Sequence, residues 1–240
     1  MSRFIPTREA HPGHRSVSGG LARAAVFGVS DGLVSNVSLV LGFAGSGVGS
    51  SVVRLAGIAG AIAGAASMAA GEWVSVSAQN ELISREIEIE RRELHVNTAA
   101  ETAELAKIYE SHGIEPDRAA AAAADVMRRP DSALAVHARE ELGINPGELP
   151  SAFMAATLSL VCFILGALLP VVPWYIGSGG AAKASSLVIG IVAASIVGAV
   201  IGRFAETKIW RSALRQVVIL VVATGVTYLI GALFNVSVAG

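Results

Sequence analysis

Long apolar runs separated by short charged segments dominate this chain. Residues without charge fill 32–53, 55–71, 149–182, 184–202 and 216–240. Each run is near or above the roughly 17 to 25 residues that a helix needs to cross about 30 Å of hydrocarbon. The pattern therefore predicts five membrane-spanning helices, at about 24–45, 53–78, 150–172, 184–203 and 213–236.

Residues 79–149 break this pattern. They hold 8 Lys or Arg and 15 Asp or Glu, a net charge of −7, whereas the whole chain has a formal charge of −1. Neither Gly nor Pro occurs from Glu72 to His112, so the second span is expected to continue beyond the membrane as one helix. Asn97 and Thr98, followed by Glu101, are typical of a capping box that starts a new helix.

The predicted fold class is an all-α integral membrane protein, with five transmembrane helices and a small cytoplasmic helical domain between the second and third spans. Further short helices are predicted at 116–128 and 131–142, and no strand pattern is found. The predicted divisions are a tail at 1–20, two spans within 21–78, the acidic domain at 79–149 and three spans within 150–240.

Composition and local features agree with a membrane protein. The chain is 53 % hydrophobic and only 15 % charged, well below the charge of an average soluble domain. No cleavable signal peptide is expected, because Arg23 and Asp31 interrupt the first apolar run. The single cysteine, Cys162, excludes an intrachain disulfide.

The basic residues predict an orientation, since Lys and Arg favour the cytoplasmic side of short loops. Those on the side of the N-terminus are Arg3, Arg8, Arg15, Arg23, Arg203, Lys208, Arg211 and Arg215. Only Arg54 and Lys183 lie on the other side. We expect the N-terminus and the acidic domain in the cytoplasm, the C-terminus on the far side and, from the short loops and high Ala and Gly content, a multi-pass protein of the plasma membrane.

Two carboxylates lie inside apolar runs, Asp31 in the first predicted span and Glu72 in the second. A charged carboxyl at the bilayer centre costs roughly 2.5 to 3.5 kcal/mol on insertion scales, so such residues are usually functional. Met68, one turn before Glu72, would add a soft thioether ligand that suits a first-row transition metal better than Mg²⁺ or Ca²⁺. Small residues share these helix faces, and they are equally typical of helix packing.

A second group of candidate ligands lies in the acidic segment. Two E-x-x-E pairs provide Glu90 with Glu93 and Glu101 with Glu104. On a later predicted helix, His137 and Glu141 are four residues apart. Carboxylates that converge repel one another unless a cation neutralises them, and a mixed N and O ligand set suits Fe²⁺, Mn²⁺ or Zn²⁺. The alternative is an ordinary solvated helix face, because Arg91 and Arg92 are interleaved with these residues.

Three motifs together resemble the vacuolar iron transporter family. They are "AVFGVSDGLVSNVSLVLGFAG" around Asp31, "AGAASMAAGEWVSVSAQNE" around Met68 and Glu72, and "HAREELGI" around His137 and Glu141. The resemblance implies a five-span homodimer that moves Fe²⁺, and often Mn²⁺, out of the cytoplasm in exchange for protons. It also implies a cytoplasmic metal-binding domain between the second and third spans.

By position, the resemblance implies that Asp31, Met68 and Glu72 line the transport pathway. The implied carboxylate ligands of the inserted domain are Glu90, Glu93, Glu101, Glu104 and Glu141. One departure is that His137 and Ala138 stand where eukaryotic members have methionines, so His137 is the candidate replacement ligand and metal preference could differ.

Two other function classes are compatible with parts of the sequence. A membrane-anchored di-iron oxidase would use carboxylate-rich helices, but such sites usually contain Glu-x-x-His motifs on two helices. A metal sensor or scaffold would leave Asp31 and Glu72 unexplained. We expect a transporter rather than an enzyme, with no prosthetic group. The expected partners are divalent metal ions, protons and the lipid bilayer, and no nucleic acid partner is expected.

Overall fold

The structure is a computed structural model that describes residues 20–141, 143–145, 147 and 149–234. Its helices are α1 (Gly20–Gly45), α2 (Ser50–Val96), α3 (Thr98–Ser111), α4 (Pro116–Met127), α5 (Pro130–Glu140), α6 (Ala152–Leu168), α7 (Pro173–Ile176), α8 (Gly179–Phe204) and α9 (Ile209–Phe234). A 3₁₀ turn, Leu169–Val171, joins α6 to α7. The described residues contain no strand, which confirms the prediction of an all-helical chain.

Five helical segments have the length and composition of membrane spans. They are Gly20–Gly45, Ser50–Val96, Ala152–Ile176, Gly179–Phe204 and Ile209–Phe234, with mean hydropathies between 1.6 and 2.5. The number of predicted spans is therefore confirmed. The predicted tail before Gly20, the end of the short helix at 142 and the end of the fifth span at 235–236 lie outside the described residues.

The third span is interrupted, which the sequence analysis did not predict. Pro170 and Pro173 lack the N–H that a continuous helix needs, so α6 ends at Leu168 and gives way to the 3₁₀ turn and α7. Side chains compensate at this break. The Ser186 hydroxyl donates to the Pro170 carbonyl at 2.7 Å, and Trp174 Nε1 donates to Ser186 Oγ at 3.0 Å.

The chain forms two compact units, with boundaries inside α2 and α6. The first contains the described residues up to Ile62 and from Val161 onward, and the second is Ala63–Leu160. In the first unit α1, α8 and α9 pack against one another around Leu33, Val37, Leu41, Ala194 and Leu220. Small residues permit close approach, since a Cβ added to Gly198 would lie 2.6 Å from the Cα of Ala213.

Hydrogen bonds from polar side chains tie the helices of this first unit together. Asn36 is 2 % exposed, and its Nδ2 donates to the Gly57 carbonyl of α2 at 3.1 Å and to the Ala167 carbonyl of α6. On the other side of α1, Ser38 and Thr224 hydroxyls lie 3.3 Å apart. Asn36 therefore joins three helices, a role that the sequence analysis missed.

The second unit contains the helical segment between the second and third spans. Here α3 packs on α4 and α4 on α5, around Leu105, Ala106 and Ala123. The helix predicted after Asn97 does begin at Thr98, but the capping box is wrong. Asn97 makes no side-chain cap, and Thr98 Oγ1 donates back to the Leu94 carbonyl. Glu101 is 5 % exposed and turned inward, so it is not available as a cap.

Replacing Asn36 should loosen the contact among α1, α2 and α6. Hydrogen bonds between transmembrane helices contribute about 0.6 kcal/mol on average, so we expect Asn36→Ala, which removes two, to lower the free energy of unfolding by about 1 to 2 kcal/mol. Thermal unfolding in detergent measures this. Ser35→Ala is the control, because Ser35 is exposed and bonds only to the carbonyl of Asp31 within α1. Equal destabilisation by both variants would contradict the assignment.

Candidate metal centre

Three buried side chains from three helices converge in the second unit. Glu90 of α2, Glu101 of α3 and His137 of α5 each offer a ligand atom, and these atoms lie within 4.8 Å of one another. Nδ1 of His137 is 3.0 Å from Glu90 Oε1 and 3.8 Å from Glu101 Oε2. We call this group the Glu90–Glu101–His137 cluster. Two carboxylates and an imidazole form a mixed O and N ligand set.

The local sequence explains why these helices meet. The bend at Asn97 ends α2 and turns the chain, so that α3 begins at once. Ala119 and Ala123 of α4 are fully buried and small, which allows α4 to pack closely on its neighbours. Pro130, at the first position of α5, starts the next helix directly after α4, and α5 then carries His137 into the interior.

The cluster contains polar atoms that the described part of the chain does not satisfy. Glu90 Oε1 and both ring nitrogens of His137 are buried without a hydrogen-bond partner among the described residues. Although Nδ1 and Oε1 are 3.0 Å apart, they do not align as a hydrogen bond. A buried unsatisfied polar group costs about 1 to 3 kcal/mol. A cation bound between these atoms would remove that cost.

Burial and mutual repulsion set the protonation of the cluster. Burial raises the pKa of Glu101, and the carboxylates of Glu90 and Glu104 raise it further. Burial lowers the pKa of His137, an effect that Glu101 and Glu104 partly offset. The imidazole is therefore held neutral, which is the form that binds a metal ion.

The other predicted ligands surround the cluster at its solvent side. Glu93, Glu104 and Glu141 are exposed. Although Glu141 is exposed as a whole residue, partial desolvation of its carboxyl group and hydrogen bonding to Glu104 raise its pKa to about 8, with Glu90 adding to the effect. Of the six predicted ligands, three therefore converge in the interior and the others are exposed. Their role as ligands stays a prediction.

The predicted pathway residues fall in different units. Asp31 lies in α1 of the first unit and is exposed, and its backbone carbonyl accepts a hydrogen bond from the Ser35 hydroxyl at 2.5 Å. Met68 and Glu72 lie on α2 within the second unit and are half-buried. Their participation in transport stays a prediction.

Comparison with known proteins identifies the family. The model of the VIT family matches residues 22–232, almost the entire chain. The chain belongs to the VIT family. It is 30 % identical over 222 residues to Vacuolar iron transporter 1 of Eucalyptus grandis, covering 92 % of this chain and 88 % of that one. It is 30 % identical to Vacuolar iron transporter 1 of Arabidopsis thaliana, covering 91 % and 88 % of the two chains.

A third VIT relative, the Vacuolar iron transporter of Acanthamoeba castellanii, is 33 % identical over 79 % of this chain and 71 % of its own. The resemblance inferred from the three motifs is thus confirmed. These relatives are named as transporters, in agreement with the expectation of a protein that is not an enzyme. The oxidase alternative loses its support.

The relatives correct the expected location. The location predicted from the sequence was the plasma membrane, but the relatives are named vacuolar iron transporters, which points to the vacuolar membrane. The plasma-membrane assignment is therefore wrong. Its basis was weak in physical terms, because span length and Ala and Gly content report that a bilayer is crossed and not which bilayer it is.

The pKa of Glu141 predicts how stability depends on pH without metal. Its value is about 8 in the folded protein and ordinarily 4.5, so stability present at low pH is lost as the pH rises towards 8. We expect Glu141→Gln to flatten this loss between pH 6.5 and about 8, giving a higher melting temperature than wild type at the upper end. Circular dichroism with a chelator present measures it.

The window from pH 6.5 to about 8 avoids the titration of His137. Because burial lowers the pKa of His137 in the folded protein, its contribution to stability is lost only as the pH falls below the ordinary pKa of 6.5. Glu110→Gln, which removes an exposed carboxylate from the end of α3, is the control. If Glu141→Gln follows the wild-type profile as Glu110→Gln does, the raised pKa of Glu141 is ruled out as the cause of the pH dependence.

Proposed function

We propose that this protein is a proton-coupled transporter that exports Fe²⁺, with Mn²⁺ as a second substrate, from the cytoplasm. The observation that carries this proposal is the Glu90–Glu101–His137 cluster, whose buried ligand atoms have no hydrogen-bond partner among the described residues. Membership of the VIT family, with relatives named iron transporters, supports the choice of iron.

The ligand chemistry of the cluster supports a first-row transition metal. Carboxylate and imidazole together suit Fe²⁺, Mn²⁺ and Zn²⁺, whereas Mg²⁺ and Ca²⁺ prefer sites made of oxygen alone. His137 is central to this argument, because it is fully buried and both of its ring nitrogens lack partners in the described structure. We propose that His137 is a ligand in this chain.

The charge of residues 79–149 supports a role in metal collection. Their net charge of −7 attracts cations and raises the local concentration of divalent ions. The basic residues at the N-terminal side and in the loop before α9 favour placing this segment in the cytoplasm. The cluster would then load metal from the compartment that the transporter empties.

The proposed pathway uses Asp31, Met68 and Glu72. A carboxylate in a membrane span is tolerated when a proton or a cation neutralises it. Metal ions and protons compete for the same carboxylates. Export of a metal ion is therefore accompanied by protons that move in the opposite direction, and no chemical reaction is needed. We also propose a homodimer, which the family resemblance implies.

Removing a ligand from the cluster should weaken metal binding. We expect His137→Ala and Glu101→Gln each to raise the Kd for Mn²⁺ by about tenfold or more, because changes to metal-site residues of even the outer shell commonly cost 10- to 100-fold. Isothermal titration calorimetry on the full-length protein measures it. His112→Ala is the control, since His112 is exposed and pairs with Glu140 at 3.8 Å. Unchanged Mn²⁺ affinity in His137→Ala would show that the imidazole is not a metal ligand.

Removing either pathway carboxylate should abolish transport. In proteoliposomes with a metal-quenched dye inside, we expect Asp31→Ala and Glu72→Ala to reduce Fe²⁺ uptake driven by a proton gradient to background, because neither Ala can hold metal or proton. Glu206→Gln is the control, being an exposed carboxylate in the turn before α9. Uptake at the wild-type rate in both Ala variants would reject the pathway.

A further inference from the structure

An apolar groove in the first unit ends at a single positive charge. It runs between α8 and α9, with Leu187, Ile191 and Val221 along its wall and Lys183 and Tyr228 at one end. Its volume is about 630 Å³, within the range of about 300 to 1,000 Å³ that small-molecule sites occupy. We call it the Lys183 groove. From these features we propose that it binds an anionic phospholipid, with the headgroup at Lys183 and an acyl chain along the groove.

The charge at this end has no partner in the protein as described. Among the described residues no carboxylate forms an ion pair with Lys183, and α8 and α9 contain no acidic residue. The Lys183 ammonium instead lies 5.9 Å from the centre of the Tyr228 ring, a cation–π contact that leaves its N–H donors available. An anionic headgroup would complete this site.

The start of α8 adds to the attraction for an anion. Lys183 lies in the second turn of α8, and the N-cap residue Ser178 makes no side-chain cap. The first backbone N–H groups of a helix have no partner within the helix and carry partial positive charge. They therefore act with Lys183 at the same end of the groove.

The length of the groove selects a lipid over a free anion. From Lys183 to Ile191 the helix rises about 12 Å, which is close to the roughly 15 Å depth of one leaflet of a bilayer. The remaining lining is almost entirely apolar. A phosphate alone would leave this surface uncovered, whereas an acyl chain attached to the phosphate covers it.

Gly225 provides a way to block the groove without disturbing the fold. It lines the groove, and a Cβ added there would meet no atom within 4 Å. Gly225→Leu should fill the groove while leaving Lys183 in place. Ser185→Leu is the matched control, because Ser185 is exposed on α8 and does not line the groove.

Native mass spectrometry of the full-length protein, extracted from bilayers of phosphatidylcholine and phosphatidylglycerol, tests the proposal. We expect wild type to retain phosphatidylglycerol about fivefold over phosphatidylcholine, the preference expected for one lysine near a membrane surface. Lys183→Gln should abolish the preference and Lys183→Arg should keep it. Gly225→Leu should release both lipids, and Ser185→Leu and Lys208→Gln should behave as wild type.

Three results would overturn the proposal. The first is the absence of a preference for phosphatidylglycerol in wild type, and the second is an unchanged preference in Lys183→Gln. The third is that Gly225→Leu causes loss of the dimer and not of bound lipid, which would assign the groove to a second copy of the chain. Circular dichroism shows that each variant is folded. Because lipid retention is measured without metal flux, the result is independent of the proposed transport function.

Discussion

A polar group inside hydrocarbon has no water to bond with, and this constraint shapes the first unit. It explains why the spans are helical, and why the break at Pro170 is accompanied by hydrogen bonds from Ser186 and Trp174. It also explains why Asn36 is directed at backbone carbonyls of two other helices. Polar side chains within the apolar runs therefore either join helices by hydrogen bonds or, like Asp31, are candidates for contact with an ion.

The second unit differs, because its buried polar side chains could instead have been exposed to water. In a small helical bundle Glu90, Glu101 and His137 could all have faced water, yet they are turned inward with ligand atoms left unsatisfied by the described residues. Such an arrangement lowers stability in the metal-free protein, since each unpartnered group costs about 1 to 3 kcal/mol. Under the proposed function this cost is reasonable, because a site that binds a cation and then releases it is ready to accept another ion.

Sequence patterns predicted some features well and others poorly. The five spans and the separate helices near 98–111, 116–127 and 130–140 follow from hydrophobic length, Pro and Gly, which act locally. The interrupted third span was missed although Pro170 and Pro173 were visible, because the apolar run continues through them. The capping box at Asn97 was wrong because burial of Glu101 overrode a local preference. Asn36 gave only a weak signal, one amide in an apolar run.

The sequence alone determined the membrane class, the span count, the acidic segment and the six candidate ligands, because each depends on residue type and on spacing along one helix. Only the tertiary structure decided which of these candidate ligands meet. Glu90, Glu101 and His137 lie on three helices, and their convergence depends on how α3, α4 and α5 pack, which no spacing within a single helix encodes. The Lys183 groove has the same origin, since α8 and α9 form it together.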